Sequence, residues 1–263
     1  MKNLIVQVCI PNEDKVVEVG KGRMFSYIPE MYQCCIEDAR EYAKNVEADY
    51  YLMTTKEWDK NLHPCYQRFE FFEERFDKYD NILQFDGDYA PVPTAPNLFE
   101  AVENDDAIWY AVPDNKFDKH GNMKKMRKQS FDRYNLDENF YYFNIGFYLM
   151  KREARKIFRE SLPEYWDREK DGIVFHDQDI INKIVHDKMR NRYRAMNKNW
   201  NGVFSVKSPD FATHYAGTAK TNFTVEGHTK LREEKSLRKG GEMYHVPQFS
   251  TDRIEVNSLE NFF

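Results

Sequence analysis

Asn81-Ile82-Leu83-Gln84-Phe85-Asp86-Gly87-Asp88 is the stretch on which the reading of this chain turns. Its first five residues are apolar enough for a buried strand, and two carboxylates one residue apart follow where the chain leaves it. A carboxylate pair at the mouth of a sheet can hold a divalent cation, which can in turn hold a phosphate-bearing substrate. Gly87 would let the backbone bend so that both acids face one ion. The same doublet also reads as a helix cap or an ordinary acidic turn.

Upstream, Leu4 to Ile10 is a nearly continuous apolar run ended by Pro11, the pattern of a buried parallel strand. From Pro29 to Val46, apolar residues recur at Met31, Cys34/Cys35, Ile36, Ala39, Tyr42, Ala43 and Val46, which is helical spacing. Asp49 to Met53 reads as a second strand. An aromatic helix follows, with Tyr66, Phe69, Phe72 and Phe76 on one stripe, and the strand ending at Phe85 is third. Strand, helix, strand, helix, strand predicts right-handed crossovers and an α/β fold with a mostly parallel sheet flanked by helices. Ligands of such sheets bind outside the carboxyl ends of the strands, where Asp86 falls.

Downstream, Pro91, Pro93 and Pro96 mark a rigid loop before a short helix near Leu98–Glu103 and a strand over Ala107–Val112. Asp114–Glu138 is polar and poor in aliphatics, and reads either as a lid or as a disordered insertion. Phe140–Met150 is apolar but interrupted by Asn144 and Gly146. Helices are expected over Lys151–Leu162 and Asp177–Lys188. Short strands are expected at Tyr193–Ala195, Val203–Val206 and Phe211–His214, and an exposed charged helix over Glu226–Lys239. Residues 1–222 read as one domain, with 223–263 a small C-terminal appendage packed on it.

The 263 residues are ample for one core, and the 16% aromatic content lets few side chains fill it. A net charge of −5 leaves no global basic field to recruit nucleic acid. The four cysteines, Cys9, Cys34, Cys35 and Cys65, match no disulfide framework and no C-x-x-C pair, and are expected to be reduced. No window approaches the ~20 apolar residues of a membrane span, and the first apolar run is too short for a secretion signal, so a cytoplasmic protein is expected.

Three further points carry chemistry. His214 opens His214-Tyr215-Ala216-Gly217-Thr218-Ala219-Lys220; a neutral imidazole can complete a manganese site begun by two carboxylates, Gly217 would permit close approach to a phosphate, and Lys220 would supply a cation. Taken alone, a histidine in this position is more often a hydrogen-bonded strand-end residue than a ligand. Asn144, a polar amide in an apolar stretch, is either satisfied by backbone or faces a pocket and binds hydroxyls; Gly146 suggests a bulge or a close approach. Asp177-Gln178-Asp179 is either a helix start favoured by capping and dipole, or the rim of a sugar site.

Taken in order, Asp86-x-Asp88, Phe143-Asn144-x-Gly146, Asp177-Gln178-Asp179-Ile180 and His214-x-x-Gly217-x-x-Lys220 resemble the family-8 glycosyltransferases, the group of glycogenin and the bacterial lipooligosaccharide galactosyltransferases. The resemblance spans roughly Leu4 to Lys220. It implies a GT-A fold, a nucleotide-sugar donor, usually a UDP-sugar, and Mn²⁺ (or Mg²⁺) held by Asp86, Asp88 and His214. It further implies that Gly217 and Lys220 meet the diphosphate, that Asn144, Asp177 and Gln178 meet the transferred sugar, and that Arg68 reaches the donor. Val8, Cys9, Ile10 and Pro11 would lie near the base and ribose. The chain departs from the family pattern at Ala90-Pro91, at Ile145 and at Thr221-Asn222, where Pro-Trp is usual.

The resemblance also implies retention of configuration. A double displacement needs a carboxylate nucleophile, and the matched position is the amide Gln178, with Asp177 as backup. Front-face transfer is therefore favoured, with the leaving phosphate helping to deprotonate the acceptor and Lys220 stabilising the leaving charge. The acceptor, whether glycan, protein or small molecule, is not legible. A sugar nucleotidyltransferase would want a basic, Gly-rich loop after the first strand, of which Gly20-Lys21-Gly22-Arg23 is a poor version. An aspartate-nucleophile phosphatase would carry its D-x-D on the first strand of its domain. A non-catalytic nucleotide-sugar-binding protein of the same fold is the remaining alternative.

Overall fold

In chain order the elements are β1 (Asn3–Val8), β2 (Val17–Val19), β3 (Arg23–Phe25), α1 (Pro29–Asn45), β4 (Asp49–Met53), β5 (Asn81–Asp86), β6 (Tyr89–Pro91), α2 (Leu98–Ala101) and β7 (Trp109–Pro113). There follow α3 (129–134), β8 (Phe143–Lys151), α4 (Arg152–Trp166), α5 (Asp177–Lys188), β9 (Tyr193–Ala195), β10 (Ala212–His214) and α6 (Val225–Leu237). The computed structural model describes residues 1–10, 17–19, 23–25, 28–113, 129–137, 140–166, 177–196, 198–201, 211–216, 220 and 223–237. Most of the expected lid, the strand expected at Val203–Val206, Pro11 and Gly217 lie outside the described residues.

Six strands form the central sheet in the order β4-β1-β5-β8-β7-β9. β1 pairs in parallel with both β4 and β5, in a register that sets Val8 level with Asp86 and with Met53. Both faces are covered, so the strands feed two cores alternately. Leu4, Val6 and Ile82 point to one face with the 64–76 aromatics and α4; Ile5, Leu83 and Phe85 point to the other with α1. Burial on two sides is why these strands read as continuous apolar runs rather than alternating ones.

Three findings correct the expectations or go beyond them. β8 runs antiparallel to both of its neighbours, with Phe85 opposite Phe147. An antiparallel partner needs no helical crossover, and this direction returns Asn144 and Gly146 to the edge where β5 ends. The aromatic segment is not an α-helix but two 3₁₀ stretches, Pro64–Phe72 and Glu74–Phe76. Tyr66, Phe69 and Phe72 recur every three residues, and that period aligns them along a 3₁₀ helix. Between β1 and α1, Val17–Val19 and Arg23–Phe25 form the antiparallel β2–β3 pair, which no pattern in the sequence announced.

A second, two-stranded antiparallel sheet joins β6 to β10, with His214 opposite Tyr89 and Ala212 opposite Pro91. It clamps the region after the acidic doublet to a strand far along the chain. α6 docks on α1 through Arg232, which is 2.9 Å from Asp38 Oδ1, and through His228, 3.1 Å from Asp38 Oδ2. None of the described helices is long and apolar enough to cross a membrane.

Candidate active site

The acidic turn is fixed from below by an amide that the apolar pattern of β1 conceals. Gln7 is fully buried, and its Nε2 donates to the carbonyls of Asp86 at 3.2 Å and Tyr89 at 3.2 Å. The Tyr50 hydroxyl donates to Gln7 Oε1 at 2.6 Å and sets the amide's orientation. Gly87 is required for room: a Cβ there would meet Val8 O at 2.9 Å and Cys9 Cα at 3.0 Å. The turn therefore lies directly against the end of β1. Val8 and Ile10 are half-buried there and Cys9 is buried, its N–H donating to Met53 O at 2.9 Å and its thiol pushed up to about 11 by burial.

The β6–β10 ladder brings His214 to this turn, and Tyr215 N–H secures it by donating to Asp88 O at 2.9 Å. His214 Nε2 lies 3.2 Å from Asp88 Oδ1 and 4.0 Å from Asp86 Oδ2. One ligand atom from each of Asp86, Asp88 and His214 lies within 4.8 Å of the others, and among the described residues no other group of three or more His, Cys, Asp or Glu side chains converges in this way. Two carboxylates and one imidazole are a donor set suited to a hard or borderline divalent cation such as Mg²⁺ or Mn²⁺. Gly146 faces the same point from β8, where a Cβ would lie 2.5 Å from His214 Cε1 and 2.9 Å from Asp86 Oδ2. The glycine marks a close approach, one of the two readings its place in an apolar strand allowed.

Lys220 Nζ completes the polar cluster, 2.7 Å from Asp88 Oδ2 and donating to the Tyr32 hydroxyl at 3.1 Å. Burial alone would raise the Asp88 carboxyl, but Lys220 and His214 outweigh it and hold the group well below the usual carboxylate range. Burial would lower the Lys220 ammonium; Asp88 and Tyr32 reverse that and push it up.

Arg68 is buried in the 3₁₀ segment and bridges two acids, 2.8 Å from Asp86 Oδ1 and 2.6 Å from Asp177 Oδ2. It also donates to Gln84 Oε1 at 3.2 Å and to the Ile145 carbonyl. Its guanidinium is thus engaged within the protein, orienting Asp86 from behind. Burial pushes the Asp177 carboxyl up to about 6, with Arg68 pulling it down and Asp86 adding to the rise. Gln178 Oε1 accepts from Ile145 N–H at 3.2 Å, and Asn182, one turn on, accepts from Phe143 N–H at 2.7 Å. These two side chains attach α5 to the first residues of β8.

The sequence reading did not single out Gln7, Tyr32, Asn182 or Asn201. Asn201 is buried with its Oδ1 2.8 Å from His214 Nδ1 and its Nδ2 donating to Asn144 Oδ1 at 2.8 Å. The only signal for it was a polar amide next to Trp200. The large aromatics Trp109, Tyr110, Tyr142 and Trp200 are fully buried core and offer no face to a sugar. All four cysteines are free, as expected.

An α/β sheet with an Asp-x-Asp turn at the carboxyl end of a central strand and a histidine brought to it is the arrangement that the resemblance to glycosyltransferases implies, and comparison with known proteins places the chain in that class. A family model described as Glycosyl transferase family 8 matches residues 22–231. The chain belongs to glycosyl transferase family 8 and is a glycosyltransferase. Its fold is that of solved GT-A enzymes at low identity. The galactosyltransferase LgtC, solved in complex with donor and acceptor sugar analogs, is 14% identical with a TM-score of 0.52, covering 88% of this chain and 95% of that one. A glycosyltransferase involved in the glycosylation of the major capsid of PBCV-1 is 12% identical with a TM-score of 0.51, covering 90% and 100%. The bifunctional glycosyltransferase WbbM is 12% identical with a TM-score of 0.51, covering 89% of this chain and 44% of that one. No curated protein matches the sequence.

Proposed function

We propose that this glycosyltransferase moves a sugar from a nucleotide-sugar donor, a UDP-sugar, to a hydroxyl of a glycan, protein or small-molecule acceptor, with retention of configuration. The observation that carries the reading is the convergence of Asp86, Asp88 and His214 at the carboxyl end of β5. These three side chains would hold Mn²⁺ or Mg²⁺. When bound, the cation supplies positive charge for the diphosphate.

The chain's own residues account for the rest. The bond from the anomeric carbon to the diphosphate oxygen breaks, its electron pair leaves with the diphosphate, and the sugar becomes oxocarbenium-like. Lys220, 2.7 Å from Asp88 Oδ2, would neutralise the charge growing on that leaving group. Gly217 would allow the diphosphate's close approach. Val8, Cys9 and Ile10, at the end of β1, would border the base and ribose. Asn144, Asp177 and Gln178 would border the transferred sugar.

Retention by double displacement needs a free carboxylate at the anomeric carbon. Gln178 is an amide whose oxygen already accepts from Ile145 N–H, and Asp177 is buried and paired with Arg68. Front-face transfer fits better: the acceptor oxygen attacks on the side the diphosphate leaves, and its proton passes to a leaving phosphate oxygen. In this reading residues 1–222 are the catalytic domain and 223–263 an appendage. The free thiols suit a reducing compartment such as the cytoplasm.

A screen of nucleotide sugars for release of nucleoside diphosphate, with Mn²⁺ and with chelator, tests the proposal. Metal-dependent release from a UDP-sugar is expected; release indifferent to chelator would overturn it.

A further inference from the structure

The hydrogen bonds behind His214 start from a group whose polarity is not in question. The Gly146 backbone N–H can only donate, and it donates to the Asn144 side chain at 2.9 Å. The atom receiving it must therefore be the Asn144 oxygen. That oxygen is also 2.8 Å from Asn201, so Asn201 must offer it an N–H. The Asn201 amide is thereby oriented with its carbonyl oxygen toward His214 Nδ1, 2.8 Å away. A carbonyl oxygen can only accept, so Nδ1 must carry a proton.

We infer that Asn201 is a positioning residue that keeps the proton of the neutral His214 ring on Nδ1, leaving the Nε2 lone pair for the cation shared with Asp86 and Asp88. The part of this inference that concerns the cation rests on the proposed metal site; the tautomer does not. For the neutral ring, every other arrangement leaves one repulsive contact within the Gly146–Asn144–Asn201–His214 chain. A proton on Nε2 alone sets the Nδ1 lone pair against the Asn201 oxygen. Flipping Asn201 sets two amide oxygens 2.8 Å apart. Flipping Asn144 as well sets its amino group against the Gly146 N–H, which cannot turn. Against this stands Asp88 Oδ1, 3.2 Å from Nε2, which attracts a proton to that side; its partner oxygen Oδ2 is already served by Lys220 at 2.7 Å.

Of the four residues in this chain, Gly146, Asn201 and His214 are held by packing, and Asn144 is half-buried. Asn201 is 1% exposed and His214 3% exposed, so water does not compete for the bond between them. Gly146 has no space for a side chain, and its N–H is fixed by the strand it belongs to. A histidine ligand whose other nitrogen donates to a fixed acceptor is held in one tautomer and one ring orientation, and loss of such a partner typically weakens metal binding 10–100-fold. Because both contacts fall on the Asn144 oxygen, that side chain has only amide hydrogens left to offer a ligand.

The test is ¹⁵N NMR of the histidine rings in the metal-free full-length protein, at a pH where His214 is neutral, with the signal assigned by its loss in His214→Gln. The expected result is a protonated Nδ1 and an unprotonated Nε2. Asn201→Ala should release the preference and weaken Mn²⁺ binding, followed by electron paramagnetic resonance, about 10–100-fold. A wild-type His214 protonated on Nε2 overturns the inference whether or not any variant folds, as does an Asn201→Ala protein with unchanged tautomer and Mn²⁺ affinity. A wild-type protein with the Nδ1 proton but no Mn²⁺ binding would uphold the tautomer and overturn the metal site instead.

Discussion

Lys220 Nζ sits 2.7 Å from Asp88 Oδ2, so a residue at the far end of the matched motifs neutralises the second acid of the doublet. Any divalent cation at this turn competes with that ammonium for the same carboxylate. Lys220→Ala should therefore bind Mn²⁺ several-fold more tightly in the absence of nucleotide, while transferring sugar about 10²–10³-fold more slowly, as when one charge-stabilising donor is removed from an active site. Isothermal titration and initial rates measure the two effects. Weaker metal binding together with full activity would contradict this role.

Arg68 keeps two buried carboxylates in company. Replacing it by Met leaves Asp86 and Asp177 without their common partner, and breaking a buried pair on one side costs about 3–5 kcal/mol. Urea unfolding of Arg68→Met should show a loss of that order. Stability within 1 kcal/mol of wild type, on the ~1 kcal/mol scale of an exposed pair, would mean that the bridge is superficial.

Gly146 has no room to grow. In Gly146→Ala the new methyl meets His214 Cε1 at 2.5 Å and Asp86 Oδ2 at 2.9 Å. Overpacking of this kind costs about 1–3 kcal/mol, and here the strain falls on two proposed ligands. A folded Gly146→Ala protein should bind Mn²⁺ at least tenfold more weakly. Gly227, on exposed α6, is the control: its Cβ would meet only the Thr224 hydroxyl, at 2.8 Å.

The sequence showed the strand that ends at Asp86, the helices α1 and α5, and the order of the polar motifs, because each is a run or a spacing that local physics writes directly into the chain. It did not show the direction of β8, since an apolar run reads the same in either sense. The 3₁₀ segment was legible only as a helix, although its three-residue aromatic period pointed to the tighter form. Gln7 and Asn201 were missed for a common reason. Each is one amide in an apolar setting, and its importance lies in partners that only the folded chain brings near.

Asp177 supplies a pH signature. Its carboxyl, pushed up to about 6 by burial despite Arg68, binds its proton more tightly in the folded protein than in the unfolded chain. The stability gained from that preference is complete below the unfolded value of ~4 and is lost as pH rises through about 6. Between pH 4 and 7 the metal-free wild type should therefore lose about 2 kcal/mol relative to Asp177→Asn, somewhat under two full pH units at ~1.36 kcal/mol each because the unfolded group is already half-ionised at pH 4. Denaturant melts across that range measure it. A difference that stays flat, or that grows with pH, would count against the burial account.

The most direct measurement is the anomalous difference density of a crystal soaked with Mn²⁺ and UDP. The account requires one strong peak bonded to Asp86, Asp88 and His214 Nε2, with the UDP diphosphate on it and Lys220 turned toward the phosphates. A manganese bound elsewhere, or a diphosphate seated away from those three side chains, would contradict it.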